Sequence, residues 1–330
     1  MNEITIQIPL RITISAGAAE SAEARPAVSV APAEGLERVD IDPNYSNRKG
    51  YDPRFLGVEV PLPKLTEEQR RNAAKNSMAA PGGDPTVLPY HHFSLVMNRR
   101  RQLAYYTAVN IDGRKGRKPQ RTGDRWYFDP RIAQTEQIGE DLYARNALDR
   151  GHLVRRLDPA WGGAAEALKA NNDTFHFTNC SPQHERFNQN DETWQGIENF
   201  LLNQATEEKK KLTIFTGPVL AEDDPLYRGV RLPVRFWKIA AFVKGDGALS
   251  VSAYLLEQEE LVEGLERFEA DTFQVTVAEI VERTGLDFTY LEPFEAKLEG
   301  GEGLERTGGG LESEAGFLRR RLSNVSQATP

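Results

Sequence analysis

Cysteine is nearly absent: Cys180 is the only one among 330 residues. A lone cysteine excludes an internal disulfide and a cysteine-based metal centre, and it points to a reducing compartment. No apolar run has the length needed to cross a bilayer as a helix, so no membrane partner is expected. The stretch Met1 to Gly17 has neither a basic start nor a continuous apolar block. It does not read as a secretory signal, and the expected location is the cytoplasm, with non-standard export as the other route. Excess positive charge is missing as well. A net charge of -8 speaks against a non-specific DNA coat protein, but not against every polyanionic partner, because the placement of charge matters more than its sum. No internal repeat is seen.

What is present begins with an alternation. Ile4, Ile6, Ile8, Leu10, Ile12 and Ile14 fall on one face at a period of two, which predicts a strand. An Ala/Glu/Pro-rich stretch from Ser15 to Gly35 follows and reads as a linker. Residues 1–40 are therefore expected to be a strand with a flexible linker. The strand either joins the main sheet or serves as a separate docking element. The globular part is expected over 41–296. The Gly/Glu/Ser/Arg-rich remainder, 297–330, has too few large apolar residues to pack and is expected to be disordered.

Within the globular part, strands are expected at Leu103 to Ile111, ending in the turn Asp112-Gly113, and at Thr174 to Thr178, Leu212 to Thr216, Phe236 to Val243 and Leu249 to Leu256. Gly245-Asp246-Gly247 reads as a hairpin turn. A helix is expected near Asp191, with Trp194, Ile197 and Leu201 on one face. Another starts at Thr276, which with Glu279 forms a capping-box pattern, and stops at Gly285. Strands and helices mix without a regular repeat, so the expected fold class is α+β with a mostly antiparallel sheet.

Two features carry chemistry. Nine basic residues lie between Arg99 and Arg125 against only Asp112 and Asp124, with Tyr105, Tyr106 and Trp126 among or beside them. That composition suits contact with backbone phosphates, although a solvated connection between strands has the same composition. The second feature is Asp149-Arg150-Gly151-His152, followed by Asn188, Trp194 and Glu198. A histidine can take a proton from water near neutral pH. An arginine can neutralise charge on phosphoryl oxygens. An amide and a carboxylate can hold a hydrated hard cation. Together these residue types can hydrolyse a phosphodiester.

The run Ala147 to Arg156 (Ala-Leu-Asp-Arg-Gly-His-Leu-Val-Arg-Arg), the block Asp173 to Gln183, the stretch Phe187-Asn188-Gln189-Asn190 with Trp194 and Glu198, and Thr216-Gly217-Pro218 occur in one order along the chain. In that order they resemble the DNA/RNA non-specific endonuclease family, the ββα-metal nucleases of the Serratia and endonuclease G type. The resemblance covers roughly residues 41 to 295. It implies a ββα-metal finger on a mostly antiparallel central sheet. It also implies His152 as general base, Asn188 as the side-chain ligand of one Mg²⁺ (with Mn²⁺ as a substitute), Glu198 hydrogen-bonding the metal's waters, and Arg150 near the phosphate. Asp149 is expected to orient the motif and Asn179 to support the site. The spacing from Pro182-Gln183 selects Asn188, while the spacing to Trp194 fits Asn190, which stays the alternative ligand. Where some members carry a further arginine, this chain has Tyr90, followed by His91 and His92; Arg99 to Arg101 are the candidates to supply that cation.

The implied activity is a Mg²⁺-dependent, sugar-non-specific endonuclease acting on DNA and RNA through the phosphate backbone. The rival is a catalytically silent nuclease-fold binding or scaffold protein. A non-specific nuclease without an export signal must be restrained. Residues 1–35 are therefore a candidate site for an inhibitory or activating protein partner, and the expected role is a regulated effector in phage defence or intercellular conflict. His176, His184 and Trp194 read as structural.

Overall fold

The computed structural model describes residues 41–120, 125–183, 202, 205–207, 209–257 and 272–296, and the backbone alone at 184, 258–259, 269–271, 304–306 and 318–321. The chain divides into two units, Met1–Leu36 and Glu37–Pro330. The alternating segment 4–14 and the expected helix near Asp191 lie outside the described residues.

The second unit is built on one sheet. Its strands are β1 (Val87–Pro89), β2 (Phe93–Asn98), β3 (Leu103–Asp112), β6 (Lys211–Val219), β9 (Arg235–Val243), β10 (Leu249–Glu259), β11 (Glu269–Val275), β12 (Leu304–Arg306) and β13 (Leu318–Arg321). Their spatial order is β1-β2-β3-β6-β9-β10-β11-β13-β12. Every pairing between them is antiparallel. Two small hairpins stand apart, β4 (Leu148–His152) with β5 (Cys180–His184), and β7 (Leu226–Tyr227) with β8 (Val230–Arg231). The helices α1 (Glu67–Asn72), α2 (Glu140–Tyr143), α3 (Ala164–Asp173) and α4 (Val277–Thr284) are short. The fold is α+β with a mostly antiparallel central sheet.

Alternation along the central strands puts apolar side chains on both faces of the sheet. From β9 and β10, Phe236, Ala240, Tyr254 and Leu256 pack on one face together with Leu153 and Val154, just beyond β4. Trp237, Ile239, Val251, Ala253 and Leu255 pack on the other, against Val277 and Ile280 of α4 and against Phe288 and Leu291. One face of the sheet thus carries the helix and the other carries the segment bearing the Asp-Arg-Gly-His motif.

Local signals explain the helix ends. The Thr276 side chain accepts from the Glu279 amide, and Gly285 stops α4 in the left-handed conformation at φ 67°, where a side chain is unfavourable. The turn at Gly245-Asp246-Gly247 joins β9 to β10, closed by Gly247 N–H to the Lys244 carbonyl.

Three expectations change. The stretch Thr174 to Thr178 is not a strand: α3 runs to Asp173, Phe177–Asn179 is a 3-10 turn, and the strand begins at Cys180. Phe175, His176 and Phe177 are all buried, so their alternation reflects a crowded turn with no exposed face. The basic run from Arg99 is a connection between strands, the other reading of its composition, and not one phosphate-binding patch. The ten residues of β3 lie inside it, all buried, so Arg99–Arg101 and Arg114–Lys118 are separated by about 30 Å of strand. Within the tail expected to be disordered, β13 pairs with β12 and with β11.

Candidate active site

The motif occupies β4, and β5 holds it in register. His152 lies opposite Cys180, Gly151 opposite Ser181, Arg150 opposite Pro182 and Asp149 opposite Gln183. Gly151 has a steric reason. A Cβ there would lie 2.0 Å from Gln183 Oε1 and 2.7 Å from its Cγ, so any side chain would displace a buried neighbour.

Asn179 secures the exit of the motif strand. Its Oδ1 accepts from the Val154 N–H at 3.0 Å, and its Nδ2 donates to the carbonyls of Val154 and Thr174, each at 2.9 Å. Its own carbonyl accepts from the Leu153 N–H at 2.9 Å. Asn179 is fully buried, so these bonds are formed away from water, where a missing one is costly.

His152 is half-buried and held between two rings. Trp126 lies 4.6 Å from it between ring centroids, and Phe175 meets it edge-on at 5.0 Å and 88°. This fixes the imidazole plane, with Nε2 buried. Arg150 is tied to α2. Its Nη1 donates to both carboxylate oxygens of Glu140, at 2.6 and 2.7 Å, and its guanidinium lies 5.8 Å from the centre of the Tyr143 ring.

Beneath the hairpin lies a buried polar network. Tyr45 Oη is 2.8 Å from His176 Nε2. Arg48 pairs with Asp173, which also meets the His91 ring at 2.7 Å. Arg131 pairs with Asp129, whose carboxylate accepts from the Tyr90 hydroxyl, and that hydroxyl is 2.7 Å from Thr178 Oγ1. Burial alone would raise the Asp173 carboxyl, but its hydrogen bonds to His91 and Arg48 outweigh this and hold it at about 2. Burial lowers His176, despite the nearby carboxylates of Asp129 and Asp173. A histidine that burial keeps neutral, with both ring nitrogens engaged, is a structural part.

The remaining expectations divide. Tyr90 is fully buried, stacked 4.7 Å from Phe93, and is part of the support. Arg101 pairs with Asp224 and donates to the carbonyls of Ala221 and Arg231. It is committed at the Arg99–Arg101 end of β3. At the other end, Arg156 Nη1 donates to the Pro119 carbonyl at 3.2 Å, and Gly116 bridges to Trp161. The Arg114–Lys118 loop therefore lies against the chain leaving the motif. Asn188, Asn190, Trp194 and Glu198 lie outside the described residues. Among the described residues, no three or more His, Cys, Asp or Glu side chains gather as a metal site.

Sequence reasoning missed Trp126, Glu140 and the Asp173 network. Trp126 had a faint signal, an aromatic at the end of a basic run. Glu140 had none, since its pairing with Arg150 spans ten residues and follows no helical spacing.

Comparison with known proteins adds sequence kinship. The family model for DNA/RNA non-specific endonuclease matches residues 71–293. The uncharacterized protein y4fB of Sinorhizobium fredii (strain NBRC 101917 / NGR234) is 40% identical over 287 residues, covering 80% of this chain and 43% of that protein. Mitochondrial endonuclease G of Homo sapiens is 25% identical over 158 residues, 44% of this chain and 50% of that protein. A chain from the crystal structure of the EndoG/EndoGI complex superposes with a TM-score of 0.49 at 19% identity, over 61% of this chain and 84% of that one. The chain spans half or less of the length of these two sequence relatives.

Proposed function

The chain belongs to the DNA/RNA non-specific endonuclease family, and from that premise we propose that it hydrolyses phosphodiester bonds of DNA and RNA. The observation that carries the reading is the placement of His152 and Arg150 on one strand. The histidine is held between Trp126 and Phe175, and the strand's exit is clamped by Asn179. In this reading His152 takes a proton from the attacking water. Arg150 balances charge that grows on the phosphoryl oxygens. Asp149 and Asn179 keep the strand in place. The exposed Arg114, Lys115, Arg117 and Lys118 contact neighbouring phosphates without reading bases.

The family resemblance brings a divalent cation, which we take as Mg²⁺ with Mn²⁺ able to replace it. The described side of the site offers such a group uncommitted polar atoms. Among the described residues, neither amide atom of Gln183 nor the Ser181 hydroxyl has a hydrogen-bond partner, and all are buried. Their strand ends at His184, four residues before Asn188 in the sequence. Asn188 would hold the ion and Glu198 its waters, with Asn190 as the alternative ligand. When bound, the ion stabilises charge on the leaving 3′ oxygen, and the products carry 5′-phosphate and 3′-hydroxyl ends.

The test is digestion of supercoiled plasmid and of RNA, with Mg²⁺ or with EDTA, by the wild type and His152→Ala. Cleavage by the wild type alone, and only with the metal, is expected. Full activity in the variant would overturn the mechanism.

For the biological role, we infer a restrained effector in phage defence or intercellular conflict, with 41–296 as the nuclease domain and 1–35 as the element that meets a controlling protein. The alternation of Ile4, Ile6, Ile8, Leu10, Ile12 and Ile14 on one face supports this. Deleting 1–35 should change either cleavage or partner binding. If both stay the same, the role fails.

A further inference from the structure

Arg150 is already carrying an anion. Its Nη1 lies 2.6 and 2.7 Å from the two oxygens of Glu140, the contact that a phosphate would otherwise make. The pair is accessible, with Arg150 29% and Glu140 59% exposed. The carboxylate is not there by chance of a floppy loop. Glu140 opens α2, and the same helix supplies Tyr143, whose ring lies beside the guanidinium. Tyr143 is buried, with its hydroxyl 3.5 Å from Cys180 Sγ.

The other end of α2 is fastened from the β7–β8 hairpin. Arg228 Nη1 donates to the carbonyls of Asp141, Leu142 and Ala144 at 2.9, 3.2 and 2.8 Å. Asn146 Nδ2 donates to the Leu142 carbonyl at 2.6 Å. The helix is thus a fixed bracket that presents a carboxylate to the motif arginine.

Resting on the reading of Arg150 as a phosphate-binding residue, we propose that Glu140 is a counter-ion gate. It holds the guanidinium in place over Tyr143 while the site is empty, and the substrate phosphodiester must displace it. An exposed ion pair is weak, so the gate opens readily to a polyanion whose neighbouring phosphates are held by the Arg114–Lys118 loop. A mononucleotide, with no such neighbours, has to displace the carboxylate unaided. Glu140 therefore sets the affinity of Arg150 for any phosphate, and the neighbouring contacts are what separate polymeric nucleic acid from small phosphate esters.

The experiment has two parts. Cleavage by the wild type is established first. Its absence would overturn the nuclease reading and this proposal with it, whereas cleavage leaves the gate to be judged alone. Affinity for a fluorescent DNA duplex, and for a 5′-mononucleotide as competitor, is then measured in the His152→Ala background, with and without Glu140→Gln. The gate requires the duplex and the mononucleotide each to bind about two- to five-fold tighter with Glu140→Gln. Both gains must vanish when Arg150→Met is added. Asp141→Asn, which removes the neighbouring exposed carboxylate, must give less than half of the Glu140 effect. Glu140→Ala serves as the second variant, with thermal melting to confirm folding. Unchanged or weaker binding would show that Glu140 merely orients Arg150. A gain that survives Arg150→Met would show general repulsion. Either result overturns the gate.

Discussion

The side-chain amide of Asn179 pairs with the main chain of Val154 in both directions, accepting from its N–H and donating to its carbonyl. One buried side chain thus does what a neighbouring strand would do, at the point where the motif strand ends and its register would otherwise be free to slip. Replacing Asn179 with Ala should cost about 3 kcal/mol, since buried groups lose their partners. Asn179→Asp should be at least as harmful, because a carboxylate keeps the acceptor but faces two carbonyls. Denaturant midpoints of both variants check this. A cost below about 1 kcal/mol for either would mean that the clamp is dispensable.

Gly151 and Gln183 share one volume. Gly151→Ala should lower the melting temperature and depress cleavage together, since the new methyl would sit 2.0 Å from Gln183 Oε1. Adding Gln183→Ser should recover much of the melting temperature. If the double variant is no more stable than Gly151→Ala alone, the conflict lies elsewhere.

Trp126 defines one side of the His152 ring. An aromatic contact of this kind is worth about 0.5–1.5 kcal/mol, so Trp126→Ala should lower kcat several-fold, with KM moving less. Trp126→Phe should lie between it and the wild type. A change confined to KM would instead assign Trp126 to substrate contact.

Acid stability should depend on Asp173. Its carboxyl ionises at about 2 in the folded chain, against an ordinary 3.8. The depressed value means that the charged form stabilises the fold. That stabilisation is complete above pH 3.8 and drains away as pH falls through about 2. Asp173→Asn should flatten this part of the stability profile. It should also cost about 3–5 kcal/mol near neutrality, because Arg48 is left buried without its partner charge. Unfolding by denaturant at a series of pH values measures both effects.

Much of the fold was legible because its signals are local. Thr276 and Gly285 bracket α4 by capping chemistry, and the run from Leu103 to Ile111 falls inside β3. The Asp149–His152 motif and Asn179 stand out by residue type and order, but their pairing across β4 and β5 does not. What was illegible depended on the third dimension. Phe175-His176-Phe177 looks like an alternating strand, yet each ring meets a different surface: Trp126 and His152 for Phe175, Tyr45 and Tyr90 for His176, and Phe128 for Phe177. The strand expected at Leu103 to Ile111 already divides the basic residues between Arg99 and Arg125, but only the folded chain shows that the Arg114–Lys118 end lies against the chain leaving the motif. Glu140 gave no sign of its partner, because α2 ends before Arg150 and the pairing arises only when β4 folds back beside it.

The one thiol in the chain has a consequence for where the molecule can work. Cys180 is opposite His152, buried, and burial pushes its thiol up to about 12. The thiolate is the form that oxidants, disulfides and alkylating reagents attack, and it is scarce there at any physiological pH. The motif hairpin is therefore chemically deaf to redox potential. It should survive a passage between a glutathione-rich interior and an oxidising exterior with its strand pairing and its histidine unaltered.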